Sequence, residues 1–284
     1  MNLIGLVTIC IVIVAYIHVM FQLNTSNDLE VYEIQLPSKP KLEEVCNFKQ
    51  PVLFDYDDMK CTPEVLKEYN AFDIMVYDSS YTNVPLTLDK ATELFKTKKY
   101  ATFNNSDFLQ ETMTKRYYEP TDGILRPPLV CSITYDLLFG STDYTTRLQY
   151  KTSYRNYFLV TQGSITVKLA PPRSSLFLNE IKKFETQEFY SCLNPWTEPD
   201  KKVKFIELVI PKGKLLFIPA YWWYSIRLEK DACVCIFHYK TIMNIIATLP
   251  DISMGVLQRH NTTTKQLPSY SHHTSSSSLD ASHT

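Results

Sequence analysis

The chain has 284 residues, is 45% hydrophobic and 13% aromatic, and carries a formal net charge of −1 at pH 7. That is enough apolar material for one good-sized domain with extensions, and the balanced charge points neither to nucleic acid nor to an acidic partner. The lysine pairs at 98–99, 182–183 and 201–202 read as solvated edges rather than a basic patch.

Leu3 to Leu23 (LIGLVTICIVIVAYIHVMFQL) contains no Asp, Glu, Lys or Arg. Its 21 residues match the roughly 20 needed to cross a bilayer as a helix. A cleaved signal peptide wants a basic start and small residues at a cleavage site, and neither is present; a buried core helix is seldom so uniformly apolar. The expectation is a single-pass anchor over residues 1–23. Asp28 and Glu30 follow it, and sequons stand at Asn104 and Asn261, candidate glycosylation sites. Both lean toward a cytoplasmic N-terminus and a domain on the lumenal or external side. Asn24 also fits the sequon pattern but lies close to the membrane.

Residues 24–44, polar and holding Pro37 and Pro40, read as a stalk or lead-in to a domain over 45–255. PVLFDY (51–56) and DIMVYD (73–78) read as strands. CTPEVLKEYNAF reads as a helix start, with Thr62 as N-cap and Pro63 at the first helical position. LTLDKATELFKT, opened by Thr87, has apolar residues at helical spacing. NNSDFLQETM suggests a third short helix capped near Ser106. From about residue 130 the texture changes to short apolar runs divided by Gly and Pro, ending at DACVCIFHY. This predicts a β-barrel or sandwich with its core over 130–240, so the fold class is mainly β with a helical lead-in, α+β. Residues 173–200 read as an insertion, partly loop, and KTIMNIIATL (240–249) as a closing helix. The Ser/Thr-rich stretch over 256–284 is expected to be a disordered tail, with His272-His273 solvated.

Cys10 lies in the apolar segment, and the other six cysteines are ordinary usage for a domain of this size. Some could pair if the domain is lumenal. Cys233 and Cys235 share one face of a strand. A zinc site is not expected, because two further ligands are lacking and there is no C-x-x-C.

Two stretches carry a resemblance. LLFGSTDYTTRLQYKTSYRNYFLVTQGSITVKLAPP and LVIPKGKLLFIPAYWWYSI resemble the two signatures of the JmjC and JmjC-like cupin family over about 100 residues, Leu138 to Tyr239. The resemblance implies a double-stranded β-helix (jelly-roll). In active members a His-x-Asp and a distal His hold iron(II) and leave positions open for 2-oxoglutarate and oxygen. On these signatures the His-x-Asp falls on Gln149-Tyr150-Lys151 and the distal His on Tyr224. A lysine in place of the aspartate puts a cation where a negative acceptor should be. The lysine that grips the co-substrate in many relatives falls on Ile165. Asn156, Gly163, Pro171-Pro172, Gly213, Pro219, Trp222 and Trp223 are retained.

The histidine count agrees independently. The six are 18, 238, 260, 272, 273 and 283, and only His238 lies inside the globular region, so no two-histidine site can form in the core. No metal and no cofactor are expected. The substituted pocket, Gln149, Lys151, Asn156, Ile165 and Tyr224, has two readings. Its polar groups hydrogen-bond among themselves, or Lys151 and Tyr224 present donors to a small anionic ligand. The implied function is a membrane-anchored, catalytically inactive JmjC-like module that binds a protein partner or a second copy of itself. Similarity to anchored proteins of large DNA viruses implies a virion or infection-membrane component. Two alternatives stay open: an oxygenase with non-standard ligands, and a metal-free enzyme using Lys151 or Tyr224 as acid or base.

Overall fold

The computed structural model describes residues 3–35, 37–56, 63–197 and 202–260. The expected N-cap Thr62, the sequon at Asn261 and the tail over 261–284 lie outside the described residues. The N-terminal helix α1 (Leu3–Leu23) is followed by β1 (Tyr32–Ile34), α2 (Lys39–Cys46) and β2 (Val52–Asp55). Next come α3 (Pro63–Leu66), β3 (Asp73–Tyr77), β4 (Asn83–Thr87), α4 (Leu88–Thr97), β5 (Ala101–Thr102), α5 (Ser106–Glu111) and α6 (Glu119–Leu125). Strands then dominate: β6 (Val130–Gly140), β7 (Gln149–Tyr150), β8 (Arg155–Gln162), β9 (Ser164–Ala170), β10 (Glu180–Lys183) and β11 (Glu188–Ser191). They continue as β12 (Ile206–Pro211), β13 (Lys214–Pro219), β14 (Trp223–Leu228) and β15 (Cys233–Thr241), before α7 (Ile242–Ala247) and α8 (Leu249–His260).

The fold is mixed α and β, mostly sheet. A nine-stranded sheet runs β1-β2-β13-β8-β15-β6-β5-β3-β4, and a six-stranded sheet runs β10-β11-β7-β14-β9-β12. All described pairings are antiparallel except β1 with β2. The period of two along β8, β13 and β15 explains why these strands are apolar without alternation. Tyr157, Leu159, Leu215, Phe217, Cys235 and Phe237 point into a core shared with the lead-in helices. Phe158, Val160, Leu216, Ile218, Val234 and Ile236 point the other way, into a core shared with β9 and β14. Two-sided burial leaves no polar face to read.

Several expectations need correction. The lead-in is not a free stalk: β1 pairs with β2, and Leu42, Val45 and Cys46 of α2 are buried. The presumed insertion over 173–200 contributes β10 and β11, which extend the six-stranded sheet through β7. The closing helix is two helices, and α8 runs to His260, so residues 256–260 are helical rather than tail. Asn105, not Ser106, precedes α5 at its N-cap position. Cys10, Cys46, Cys131 and Cys192 form no disulfide among the described residues. Gly163, retained from the signature, has φ +64°, and a Cβ there would lie 2.6 Å from the Lys230 carbonyl oxygen.

One buried ion pair ties the lead-in to the sheet. Arg155, 1% exposed, opens β8 and donates from Nη1 and Nη2 to the two carboxylate oxygens of Glu43 in α2, at 2.8 and 2.6 Å. Removing the carboxylate strands a guanidinium in the interior, a loss of about 3–5 kcal/mol. Glu43→Ala should therefore lower the unfolding free energy in urea by about that much, and Glu43→Leu with Arg155→Met should recover most of it. A Glu43→Ala loss below about 1 kcal/mol, the size of an exposed pair, would contradict this role.

Candidate functional site

The inner core is not filled to its end. Where β6, β8 and β15 of one sheet face β7 and β14 of the other, a cavity of about 220 Å³ opens toward solvent. Strand register brings the distant positions together. Gln149 stands opposite Tyr224 across the β7–β14 pair, and Lys151, two residues on, shares the face of Gln149. His238 of β15 lies between Asn156 on β8 and Thr134 on β6. Gln149, Lys151, Tyr224 and His238 all line the cavity.

Among the described residues, the side chains of Gln149, Lys151 and Tyr224 make no hydrogen bond or ion pair, with one another or elsewhere. The self-satisfied reading of the pocket is therefore corrected: these groups face open space. The other two expected pocket residues do not line it. Ile165 is 0% exposed, sealed in the inner core opposite Ile210 and Leu228. Asn156 is spent on structure. Its Nδ2 donates to the carbonyls of Ser153 and Ile218 at 3.3 and 3.1 Å, and its Oδ1 lies 2.7 Å from His238 Nδ1.

That arrangement sets the His238 tautomer. With the Asn156 amide nitrogen committed as a donor, its oxygen accepts, so Nδ1 of His238 carries the proton and Nε2 keeps a lone pair. Burial, helped by the nearby cations Lys151 and Lys240, lowers the His238 pKa to about 3. The ring is neutral across the physiological range.

Sequence reasoning missed Asp136. It is buried in β6, and its carboxyl accepts backbone N–H groups of Asn105 and Leu137, each at 2.7 Å, and of Asn104 at 2.8 Å. Burial raises its pKa, opposed by those three donors and by Lys151. For Lys151, burial lowers the pKa, while Asp136 and Glu188 act to raise it. Burial raises the Tyr224 phenol, with Asp136 adding to the effect, so Tyr224 stays a neutral donor. At the rim, Arg147 sits between the rings of Tyr81 and Tyr190, 4.4 and 4.5 Å from their centroids. The sequon residue Asn104 is exposed at the same rim, and its Nδ2 donates to the Tyr77 hydroxyl at 3.0 Å.

These residues do not fit iron(II). The three positions to which the resemblance assigned two imidazoles and a carboxylate hold an amide, an ammonium and a phenol, and the ammonium offers donors only. Among the described residues, no group of three or more His, Cys, Asp or Glu could hold a metal ion. What the cavity can do is donate, through the N–H and O–H groups of Lys151, Tyr224 and Gln149, while His238 Nε2 and the carboxylate of Glu188, which also lines it, can accept.

Compared with known proteins, the chain matches no family model, and no curated protein matches it at a significant level.

A depressed histidine pKa makes the folded state bind fewer protons than the unfolded chain between about pH 3 and 6.5. Its contribution to stability is full above about pH 6.5 and is lost as the pH falls toward 3. The urea midpoint of the native protein should fall more steeply from pH 6.5 to 4 than that of His238→Gln. Equal slopes, or a protonated His238 ring by NMR at pH 5, would contradict a buried neutral imidazole.

Proposed function

We propose that this protein is a membrane-tethered, metal-independent binding domain of the JmjC-like, double-stranded β-helix type. In this reading the pocket that holds iron and co-substrate in active relatives has become a donor-rich site for a small anionic ligand. One observation carries it: Lys151, Gln149 and Tyr224 converge on an open cavity without spending their polar groups on the protein. A half-buried amine without a hydrogen-bond partner is costly, and an entering carboxylate or phosphate would meet it with charge-assisted hydrogen bonds. The volume, about 220 Å³, lies below the usual range for drug-sized ligands and suits a molecule of a few carbons. Two antiparallel sheets facing each other across one core support the architecture. Helix α1, with no buried residue, is long and apolar enough to span a membrane and supports the tether.

The test uses the full chain in nanodiscs. Succinate, 2-oxoglutarate and inorganic phosphate are titrated separately, without added metal, and the thermal midpoint is followed. At least one should raise it, and Lys151→Met should weaken that binding tenfold or more, about 1.4 kcal/mol. The proposal fails if none of the three shifts the midpoint at 10 mM (about the weakest binding worth calling specific). It fails equally if Lys151→Met binds as tightly as the native protein.

A further inference from the structure

We propose that α7 and α8 form a second membrane contact, with their outward apolar face lying in the headgroup–acyl boundary of the bilayer that α1 crosses. This rests on the reading of α1 as the anchor. At 1.5 Å per residue its 21 residues extend about 31 Å, the thickness of a bilayer's hydrocarbon core. Helix α1 packs against α7. Apart from Gly5, the positions of α1 that lose part of their exposure are Ala15, Val19 and Gln22, one face of its last turns. Ala15 lies about 12 Å along the axis from Leu23. An element packed on that stretch sits at the edge of the hydrocarbon, not above it.

The outward face of α7 and α8 suits that depth. Ile242, Ile246 and Leu249 follow at helical spacing, and Val256 and Leu257 continue the stripe about two turns later; all five are 44–63% exposed. Their outward direction is fixed by what lies behind them. Asn244 of α7 donates from Nδ2 to the Thr152 carbonyl at 3.0 Å. On α8, a Cβ at Gly255 would meet the Phe184 carbonyl oxygen at 2.6 Å, so this face is pressed onto the domain. Arg259 donates to the Glu185 carbonyl at 2.8 Å, and Gln258 Oε1 accepts from the Glu185 N–H at 3.2 Å. The helices cannot roll to hide the stripe without breaking these contacts. Because α7, which begins the stripe, packs against α1, lipid is its natural occupant, and a protein partner there would have to share the face with the bilayer.

The unmodified full chain is reconstituted in phosphatidylcholine vesicles containing a phosphatidylcholine with a diazirine on its acyl tail. After photolysis, peptide mass spectrometry locates the adducts. They should fall on α1 and on residues 242–257, and not on Val209, which is 67% exposed on β12. The surface double variant Val256→Glu with Leu257→Glu should lose α8 adducts at least fivefold and keep those on α1 and its thermal midpoint. Adducts on α1 with none on α7 or α8 overturn the proposal while leaving the anchor intact. Absence of adducts on α1 overturns the anchor reading and the proposal with it. Cross-links between the α8 helices of two copies, with adducts confined to α1, assign the face to a dimer instead.

Discussion

The structure depends on a sheet that is buried on both faces. Strands β8, β13 and β15 send alternate side chains into two separate cores, one shared with the lead-in helices and one with the six-stranded sheet. Sliding any one of these strands by a residue would exchange the two sets and mismatch both cores at once. That constraint fixes the register of the whole inner face. This register places His238 against Asn156, while the β7–β14 pairing of the other sheet sets Gln149 against Tyr224. The pocket is a consequence of the packing rather than an addition to it.

Inside that frame, charge follows from burial. A lysine set into the cavity wall loses hydration, and Asp136 and Glu188 nearby work against its deprotonation. Asp136 is held in place by three backbone N–H groups, which leaves Lys151 to face the cavity as a donor rather than folding onto a direct ion pair. The neutral phenol of Tyr224 and the neutral ring of His238 share the cavity with Lys151, and the carboxyl groups of Asp136 and Glu188 also line it. The cations of this lining, Lys151 with Lys183 and Arg147, favour an anion.

Strand after strand from β6 to β15 was legible in the sequence, because two-sided burial produces short apolar runs bounded by Gly and Pro. Strands β10 and β11 were not. Glu180-Ile-Lys-Lys and Glu188-Phe-Tyr-Ser are short, mixed in polarity and near the sheet edge, and nothing local distinguishes them from loop. Helix α8 was hidden because Pro250 and Gly255 interrupt its pattern and its apolar positions point away from the core. At the site, Gln149, Lys151 and Tyr224 were found through two signatures, since strand order carries them to one place. Ile165 was carried over by the same layout, but an aliphatic side chain at that position closes the core instead of lining the opening. Asp136 escaped notice because one acid in an apolar strand gains meaning only when the turn at Asn104 and Asn105 supplies its donors.

The central proposal is that Lys151 serves anion recognition in a cavity that binds no metal. The most direct measurement is calorimetric titration of the purified full chain with iron(II) and, separately, manganese(II), under anaerobic conditions, with elemental analysis of the dialysed protein. The account predicts no saturable uptake and no bound metal. Stoichiometric iron that disappears on Tyr224→Phe would contradict it and make the cavity a metal centre with an unfamiliar ligand set.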